Sequence, residues 1–124
     1  MSFDWNKYFL LAEDIYKNTK KASGDNEATQ RTAISRAYYS VFHLSEDNAI
    51  SNMAYQRPTK NHHSEIILFY KKQMADPNHQ ELGKLLSTLR FSREKCDYEA
   101  GDFGDIKKLL ESSILHAKTI KSLL

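Results

Sequence analysis

The chain has 124 residues, which is enough for one domain with its own core and too few for two ordinary ones. Hydrophobic residues make up 40% and charged residues 27%, a composition typical of folded globular proteins and not of disordered ones. The formal net charge of +2 neither requires nor excludes a nucleic-acid partner. Four glycines and two prolines are few for a β-sandwich or a barrel, so the composition favours long helices.

Cysteine content and hydropathy indicate the cellular setting. The single cysteine, Cys96, cannot form an internal disulfide or a thiolate metal cluster, which fits a reducing cytoplasm. No apolar run approaches the roughly 20 residues of a membrane span, and the N-terminus lacks the pattern of a signal peptide. We therefore expect a cytoplasmic protein with no membrane association, and secreted or disulfide-stabilised classes are excluded.

Apolar residues recur at three- and four-residue steps along most of the chain. The spacing predicts five helices, in chain order 3–20, 26–50, 62–74, 78–98 and 105–124. The first ends at a glycine-containing turn at 22–25, a polar loop with Pro58 follows the second, and Pro77 suits the first turn of the fourth. The pattern predicts an all-α fold: an antiparallel bundle of four to five helices, formed by one domain over residues 1–124.

The fourth helix carries an arginine on its apolar face. On a helical wheel at ~100° per residue, Arg93 falls among leucines on the apolar stripe, with Asp97 at its edge. The two side chains are four apart and could form an ordinary helix ion pair, worth about 0.2–0.5 kcal/mol. Alternatively, Arg93 faces a groove shared with a second subunit and binds an anion such as phosphate, for which the planar guanidinium is suited.

A second polar cluster lies on the second helix, opposite its apolar stripe. Arg36, Tyr39 and His43 fall together at i, i+3 and i+7, with Glu46 nearby. An arginine, a tyrosine and a histidine on one face could stack on bases and bind phosphate, which makes these three candidate RNA-binding residues. The same pattern also fits a solvated face with an incidental aromatic residue.

Motifs for metal or cofactor binding are missing from the sequence. His62 and His63 are neighbours, so their side chains point about 100° apart on a helix and do not easily share one metal ion. There is no glycine-rich phosphate loop and no nucleophile elbow. We therefore expect no metal site and no cofactor; His63 is either a helix-terminal surface residue or a catalytic candidate.

Three segments resemble one branch of the HEPN superfamily. The segment SRAYYSVFH at 35–43 is similar to its S/N-R-A-Y-Y-A-x-F-H signature. The segment HSEII at 63–67, followed by Phe69, is similar to its H-S/G-x-V-I-x-x-F element, and REKCDY at 93–98 is similar to its R-x-x-x-D-Y element. The resemblance implies an antiparallel helical bundle, in agreement with the periodicity.

The resemblance also implies a function. It predicts a small cytoplasmic prokaryotic protein, usually a homodimer, encoded beside a minimal nucleotidyltransferase antitoxin in a toxin–antitoxin or phage-defence module. Many HEPN proteins are metal-independent endoribonucleases, in which an R-x(4–6)-H motif meets its copy across the dimer interface. Arg93 matches the motif arginine, which holds the scissile phosphate of the RNA.

The motif histidine has no counterpart, because no histidine follows Arg93 until His116. A carboxylate such as Asp97 could accept a proton from a ribose 2′-hydroxyl but is a poor general acid at neutral pH. His63 and His43 are the histidines that lie within matched segments, and His63 joins Arg93 and Asp97 as a catalytic candidate. By analogy with modules whose nucleotidyltransferase modifies a tyrosine beside the motif, Tyr98 is a candidate modification site.

Three hypotheses therefore remain open from the sequence. The first is a ribonuclease whose dimer places Arg93, Asp97 and Arg36 at a shared cleft. The second is a non-catalytic HEPN module that binds a partner nucleotidyltransferase or its nucleotide, which an exposed apolar patch away from Arg93 would favour. The third is a helical bundle in which Arg93 and Asp97 form an internal ion pair.

Overall fold

The structure is a computed structural model that describes residues 3–21, 27–98 and 105–124, with the backbone alone given for residues 19–21. Over these ranges it contains five α-helices and no strand. The helices are α1 (Asn6–Lys21), α2 (Glu27–Asn52), α3 (His62–Lys71), α4 (Pro77–Tyr98) and α5 (Ile106–Leu123). The all-helical prediction is confirmed, and α3 is three residues shorter than the sequence predicts. The predicted turn at 22–25 lies outside the described residues.

Two helix starts follow from capping chemistry. The Asp76 carboxylate accepts a hydrogen bond from the backbone N–H of His79, 3.1 Å away, and Pro77 occupies the first helical position, as predicted. Asp105 caps α5, accepting from the backbone N–H groups of Lys107 and Lys108. These side chains satisfy amide groups that have no partner within the helix.

Two ring contacts between the start of the chain and α2 show the relative direction of α1 and α2. Trp5, just before α1, stacks on His43 late in α2. Tyr8, farther along α1, lies beside Arg36, which is earlier in α2. The helices α1 and α2 are therefore antiparallel.

Helices α2 and α4 are antiparallel by the same reasoning. Arg31, early in α2, donates to the backbone carbonyl of Cys96 near the end of α4. Tyr39, two turns later in α2, lies beside Arg93, which is earlier in α4. Since α5 also packs against α4 and α2, α2 lies among three other long helices.

Helix α3 runs parallel to α2. His63 at its start contacts Tyr38, and Tyr70 near its end donates to the backbone carbonyl of Ser45, 2.6 Å away. The chain between the two helices, residues 53–61, must therefore return along α2 for about four turns, from Asn52 back to the level of Tyr38, before α3 begins. This return places His63 beside the middle of α2 and not beyond its end.

The core is built from all five helices. Its members are fully or nearly fully buried apolar side chains: Phe9, Ala12, Ala33, Ile34, Ala37, Tyr38, Val41, Phe42, Ala49, Ile66, Ile67, Tyr70, Leu82, Leu86, Leu89, Cys96, Leu110, Ile114, Ala117 and Ile120. The apolar stripe of leucines predicted for α4 is confirmed by this set.

The polar outer face expected on α2 is not what the structure contains. Glu46 is 1% exposed, and Arg36, Tyr39 and His43 are each partly buried. The reason is that α1, α4 and α5 all pack on α2, so the side opposite its apolar stripe is also covered. None of the helices in the described ranges has the length and apolar character needed to cross a bilayer.

Candidate functional site

Arg93 is the centre of the site. It lies on the buried face of α4, with 6% of its surface exposed, because its position continues the stripe of Leu86 and Leu89. Its guanidinium carbon is 5.4 Å from the ring centroid of Tyr38 and 5.3 Å from that of Tyr39. These distances are those of cation–π contacts, which compensate part of the cost of burying the charge.

The acidic partner of Arg93 satisfies only part of its guanidinium. One Nη atom lies 3.4 Å from Oδ2 of Asp97, one turn later on α4. This distance is beyond the usual range of a strong charge-assisted hydrogen bond. The Nε atom of Arg93 is buried and has no hydrogen-bond partner among the residues that the structure describes. The predicted i, i+4 ion pair therefore exists, but it leaves a buried donor of the guanidinium unused.

His63 lies beside the same pair of tyrosines. Its Nδ1 atom is 2.6 Å from the hydroxyl oxygen of Tyr38. Its ring stacks on Phe42, with centroids 4.1 Å apart and planes inclined at 21°, and meets the ring of Tyr39 edge-on at 5.9 Å. The parallel packing of α3 on α2 thus brings His63 to the two rings that also contact Arg93.

The surroundings of His63 keep its imidazole neutral. Burial lowers its pKa to about 4, and the positive charges of Arg93 and Arg90 act in the same direction. Burial also raises the pKa of the Tyr38 phenol well above its ordinary value near 10. Both groups of this hydrogen bond are therefore uncharged at neutral pH.

Tyr98 lies at the open side of the site. It is 77% exposed, and its ring centroid is 6.0 Å from the guanidinium carbon of Arg93. Its position in the last residue of α4 leaves the side chain in solvent. An exposed phenol next to a buried arginine is accessible to a second protein.

The three predicted RNA-binding residues do not form one open face. Tyr39 joins the group around Arg93, as described above. Arg36 lies 4.7 Å from the ring centroid of Tyr8 on α1. His43 is stacked under Trp5, with centroids 3.6 Å apart, and burial lowers its pKa below the ordinary 6.5. One face of the His43 ring is thus already occupied by an aromatic residue of the same chain.

An open pocket of about 460 Å³ lies between α2 and α4, and Arg36, Tyr39 and Asp97 are among the residues that line it. It is lined by Ala28, Arg31, Thr32, Ser35, Arg36, Tyr39, Cys96 and Asp97. Two guanidinium groups and three hydroxyl-bearing side chains therefore face it. The thiol of Cys96 has a pKa raised to about 11 by burial, so it is not a thiolate at neutral pH.

Sequence reasoning missed Tyr38 as a member of the site, because it lies on the apolar stripe of α2. The available signal is chemical: a tyrosine on a buried stripe must find a partner for its hydroxyl group. Arg90 was also missed. It forms an ion pair with Glu94, 3.0 Å away, and its charge acts on His63.

Within the described ranges, no three His, Cys, Asp or Glu side chains are grouped so that they could hold a metal ion. In comparisons with protein-family models, with curated proteins and with solved structures, the chain matches none of them.

Proposed function

We propose that the chain is a HEPN-type protein that cleaves RNA as a metal-independent endoribonuclease of a toxin–antitoxin or phage-defence module. The observation that carries this proposal is the buried guanidinium of Arg93, which Asp97 at 3.4 Å satisfies only in part, in the same group of aromatic rings as the neutral imidazole of His63. A guanidinium that its acidic partner satisfies only in part, with a contact of 3.4 Å at the partly exposed Asp97, is suited to a phosphate oxygen as a further acceptor.

The residues take different roles in this reaction. Arg93 binds the scissile phosphate, and the Asp97 carboxylate, which lies at the solvent side of the guanidinium, accepts the 2′-hydroxyl proton. The 2′-oxygen then attacks phosphorus, and the bond from phosphorus to the 5′-oxygen breaks, which leaves a cyclic phosphate. The departing 5′-oxygen takes its proton from water.

The pocket between α2 and α4 extends the site along the RNA. Arg36 and Tyr39 line it together with Asp97, so a nucleotide next to the scissile phosphate meets a cation and an aromatic ring. His43 contributes through its packing with Trp5 and not by stacking on a base. In a homodimer, the two-fold axis would bring a second Arg93 to the same cleft.

The first test is cleavage of a mixed RNA pool by the purified chain in the presence of a chelator. We expect wild type to cleave the RNA. Arg93→Lys keeps the positive charge but lacks the planar guanidinium with its paired N–H donors, so it should cleave about a hundredfold more slowly. Arg57→Lys is the matched control because Arg57 lies in the link between α2 and α3 and pairs with Glu46. Equal rates for wild type and Arg93→Lys would reject the proposal.

The same variants can be compared in bacteria. Induced expression of wild type should arrest growth and degrade cellular RNA, whereas Arg93→Ala should do neither. Growth arrest by Arg93→Ala at the same level of folded protein would contradict an Arg93-dependent toxin.

A second function is favoured by one observation, namely that the lowered pKa of His63 leaves no imidazolium to act as a general acid at neutral pH. Without a general acid, the site suits a non-catalytic module that binds a minimal nucleotidyltransferase or its nucleotide. Exposed Tyr98 would be the residue that the partner modifies. Leu10 and Leu11 on α1 and Leu115 on α5 are exposed on helices that do not carry Arg93. Wild type that binds RNA without cleaving it, and is labelled at Tyr98 by such a partner, would support this function.

A further inference from the structure

The hydroxyl group of Tyr38 has one available acceptor. Tyr38 is fully buried, and the sole hydrogen-bond partner of its hydroxyl in the described part of the chain is Nδ1 of His63, at 2.6 Å. A buried O–H group without an acceptor is strongly disfavoured, so the hydroxyl donates and Nδ1 accepts. The opposite arrangement, in which Nδ1–H donates to the phenol oxygen, would leave the tyrosine hydrogen unpaired.

We infer that Tyr38 is a positioning residue that holds His63 as the Nε2–H tautomer, so that His63 and Arg93 together bind a phosphate oxyanion with a neutral donor and a cation. The inference rests on the proposed function for the identity of the ligand. A neutral imidazole carries one proton, and acceptance at Nδ1 places that proton on Nε2.

The Nε2 atom is free to meet a ligand. It has no hydrogen-bond partner among the described residues, and the His63 side chain is partly exposed. Stacking on Phe42 and the edge contact with Tyr39 fix the plane of the ring. The orientation of the imidazole ring and its tautomer are thus fixed before any ligand binds. This lowers the entropic cost of binding.

The charges around the imidazole favour an anion. The groups that act on it electrostatically are Arg93 and Arg90 from α4, His43 from α2 and His62 from its own helix. An imidazolium beside two guanidinium groups would be repelled, whereas an oxyanion is attracted to them and accepts from Nε2–H as well. His63 is therefore a donor for binding and not the acid–base catalyst that the sequence suggests.

Nuclear magnetic resonance of the isotope-labelled full chain tests the tautomer without any RNA. Long-range nitrogen–proton correlations at neutral pH should identify His63 Nδ1 as unprotonated and Nε2 as protonated. In Tyr38→Phe the titration midpoint of His63 should rise, because the hydroxyl group that stabilises the neutral ring is gone. Observation of a proton on Nδ1 in wild type would overturn the inference.

Tyr70→Phe is the matched control. Tyr70 is also a fully buried tyrosine, and its hydroxyl donates to the carbonyl of Ser45, away from His63. Loss of this hydroxyl should lower stability as Tyr38→Phe does, yet leave the tautomer and midpoint of His63 unchanged. If Tyr70→Phe shifts the titration midpoint of His63 as much as Tyr38→Phe does, Tyr38 acts through general stability alone. That result would overturn its positioning role.

Inorganic phosphate is the probe for the ligand. Its addition should shift the Nε2–H resonance of His63 and the Nη–H resonances of Arg93 in wild type, with affinity weakened roughly threefold to tenfold in Tyr38→Phe. Unchanged resonances in wild type would overturn the anion site even if the tautomer is as inferred. Phosphate binding with the inferred tautomer, but without RNA cleavage, would reject only the proposed ribonuclease.

Discussion

Trp5 lies flat on His43, with the two ring centroids 3.6 Å apart and the planes inclined at 14°. The contact joins the residue just before α1 to the last third of α2. It removes one face of the imidazole from water, and burial is the main cause of the lowered pKa of His43. An aromatic residue of the chain itself thus takes the place that a nucleobase would need.

Trp5→Ala tests this relationship. We expect the pKa of His43 to return toward 6.5, because removal of the indole restores hydration to the ring. The measurement is the titration of the His43 ring protons by magnetic resonance. Trp5→Phe is the control, since it retains a ring over the imidazole and should keep the pKa low. Equal titration curves in wild type and Trp5→Ala would show that other groups bury His43.

Gly83 is required for the close packing of α3 on α4. A Cβ atom at position 83 would lie 2.9 Å from both the backbone nitrogen and Cγ of Lys71, and 3.2 Å from the carbonyl oxygen of Ile67. Gly83→Ala should therefore destabilise the protein by about 1–3 kcal/mol, although alanine is the better helix former by about 1 kcal/mol.

Urea unfolding checks this prediction. Lys84→Ala is the control because the Lys84 side chain is exposed on the same helix. The urea concentration at the midpoint of unfolding of this variant should remain near that of wild type. If Gly83→Ala unfolds at a higher urea concentration than wild type, α3 must move away from α4 at no net cost. His63 would then also be expected to shift, because it is carried by α3.

The helices could be predicted from sequence, whereas the pairing at the site could not. Periodicity locates α4 and places Arg93 on its buried stripe, since the 3.6-residue repeat is local. The contact of His63 with Tyr38 depends on how residues 53–61 return along α2, which no periodicity encodes. The same limitation explains Glu46: a helix wheel assigns it to an outer face, but Arg57 from the link between α2 and α3 pairs with it and it is 1% exposed.

The buried carboxylate of Glu46 depends on Arg57. Glu46 is 1% exposed, its Oε1 pairs with Arg57 from the link between α2 and α3, and its Oε2 has no partner in the described part of the chain. Arg57→Ala should cost up to about 3 kcal/mol, because it leaves a buried charge uncompensated. The free energy of unfolding from urea titration measures this cost.

The double variant Arg57→Ala with Glu46→Gln separates the charge from the rest of the side chain. It should recover part of the lost stability, because the neutral amide needs no cation. If the double variant is as unstable as the sum of the single variants, the two side chains do not interact, and Arg57 acts through its packing.

The lowered pKa of His63 predicts how stability depends on pH. In the unfolded chain the imidazole titrates near 6.5, and in the folded protein it titrates near 4, so the unfolded state binds more protons between these values. Stability should be fully present above pH 6.5 and should fall as the pH decreases toward 4. Burial shifts the pKa of His43 in the same direction, so it adds to the loss.

His63→Asn isolates the contribution of His63. The amide oxygen can accept the hydrogen bond of Tyr38, and the side chain does not titrate. The urea concentration at the midpoint of unfolding, measured between about pH 7 and pH 4, should fall less steeply with decreasing pH in His63→Asn than in wild type. The pH dependence that remains is due in part to His43. An unchanged slope would place the pH dependence elsewhere.

Asp97 and Arg93 form a contact that matters little for stability and, in the proposed reaction, much for chemistry. The single contact is 3.4 Å, and the side chain of Asp97 is 32% exposed. Asp97→Asn should therefore change the free energy of unfolding by less than about 1 kcal/mol. Cleavage of RNA should nevertheless be lost across the pH range, because an amide cannot accept the 2′-hydroxyl proton.

Asp14→Asn is the matched control for this loss. It makes the same substitution at an exposed position of α1 and should retain the wild-type rate. Rates are best compared per folded molecule on the mixed RNA pool. If Asp97→Asn cleaves at the wild-type rate with an unchanged pH profile, the carboxylate is not the proton acceptor. The attacking hydroxyl would then have to lose its proton to solvent, because Nδ1 of His63 already accepts from Tyr38.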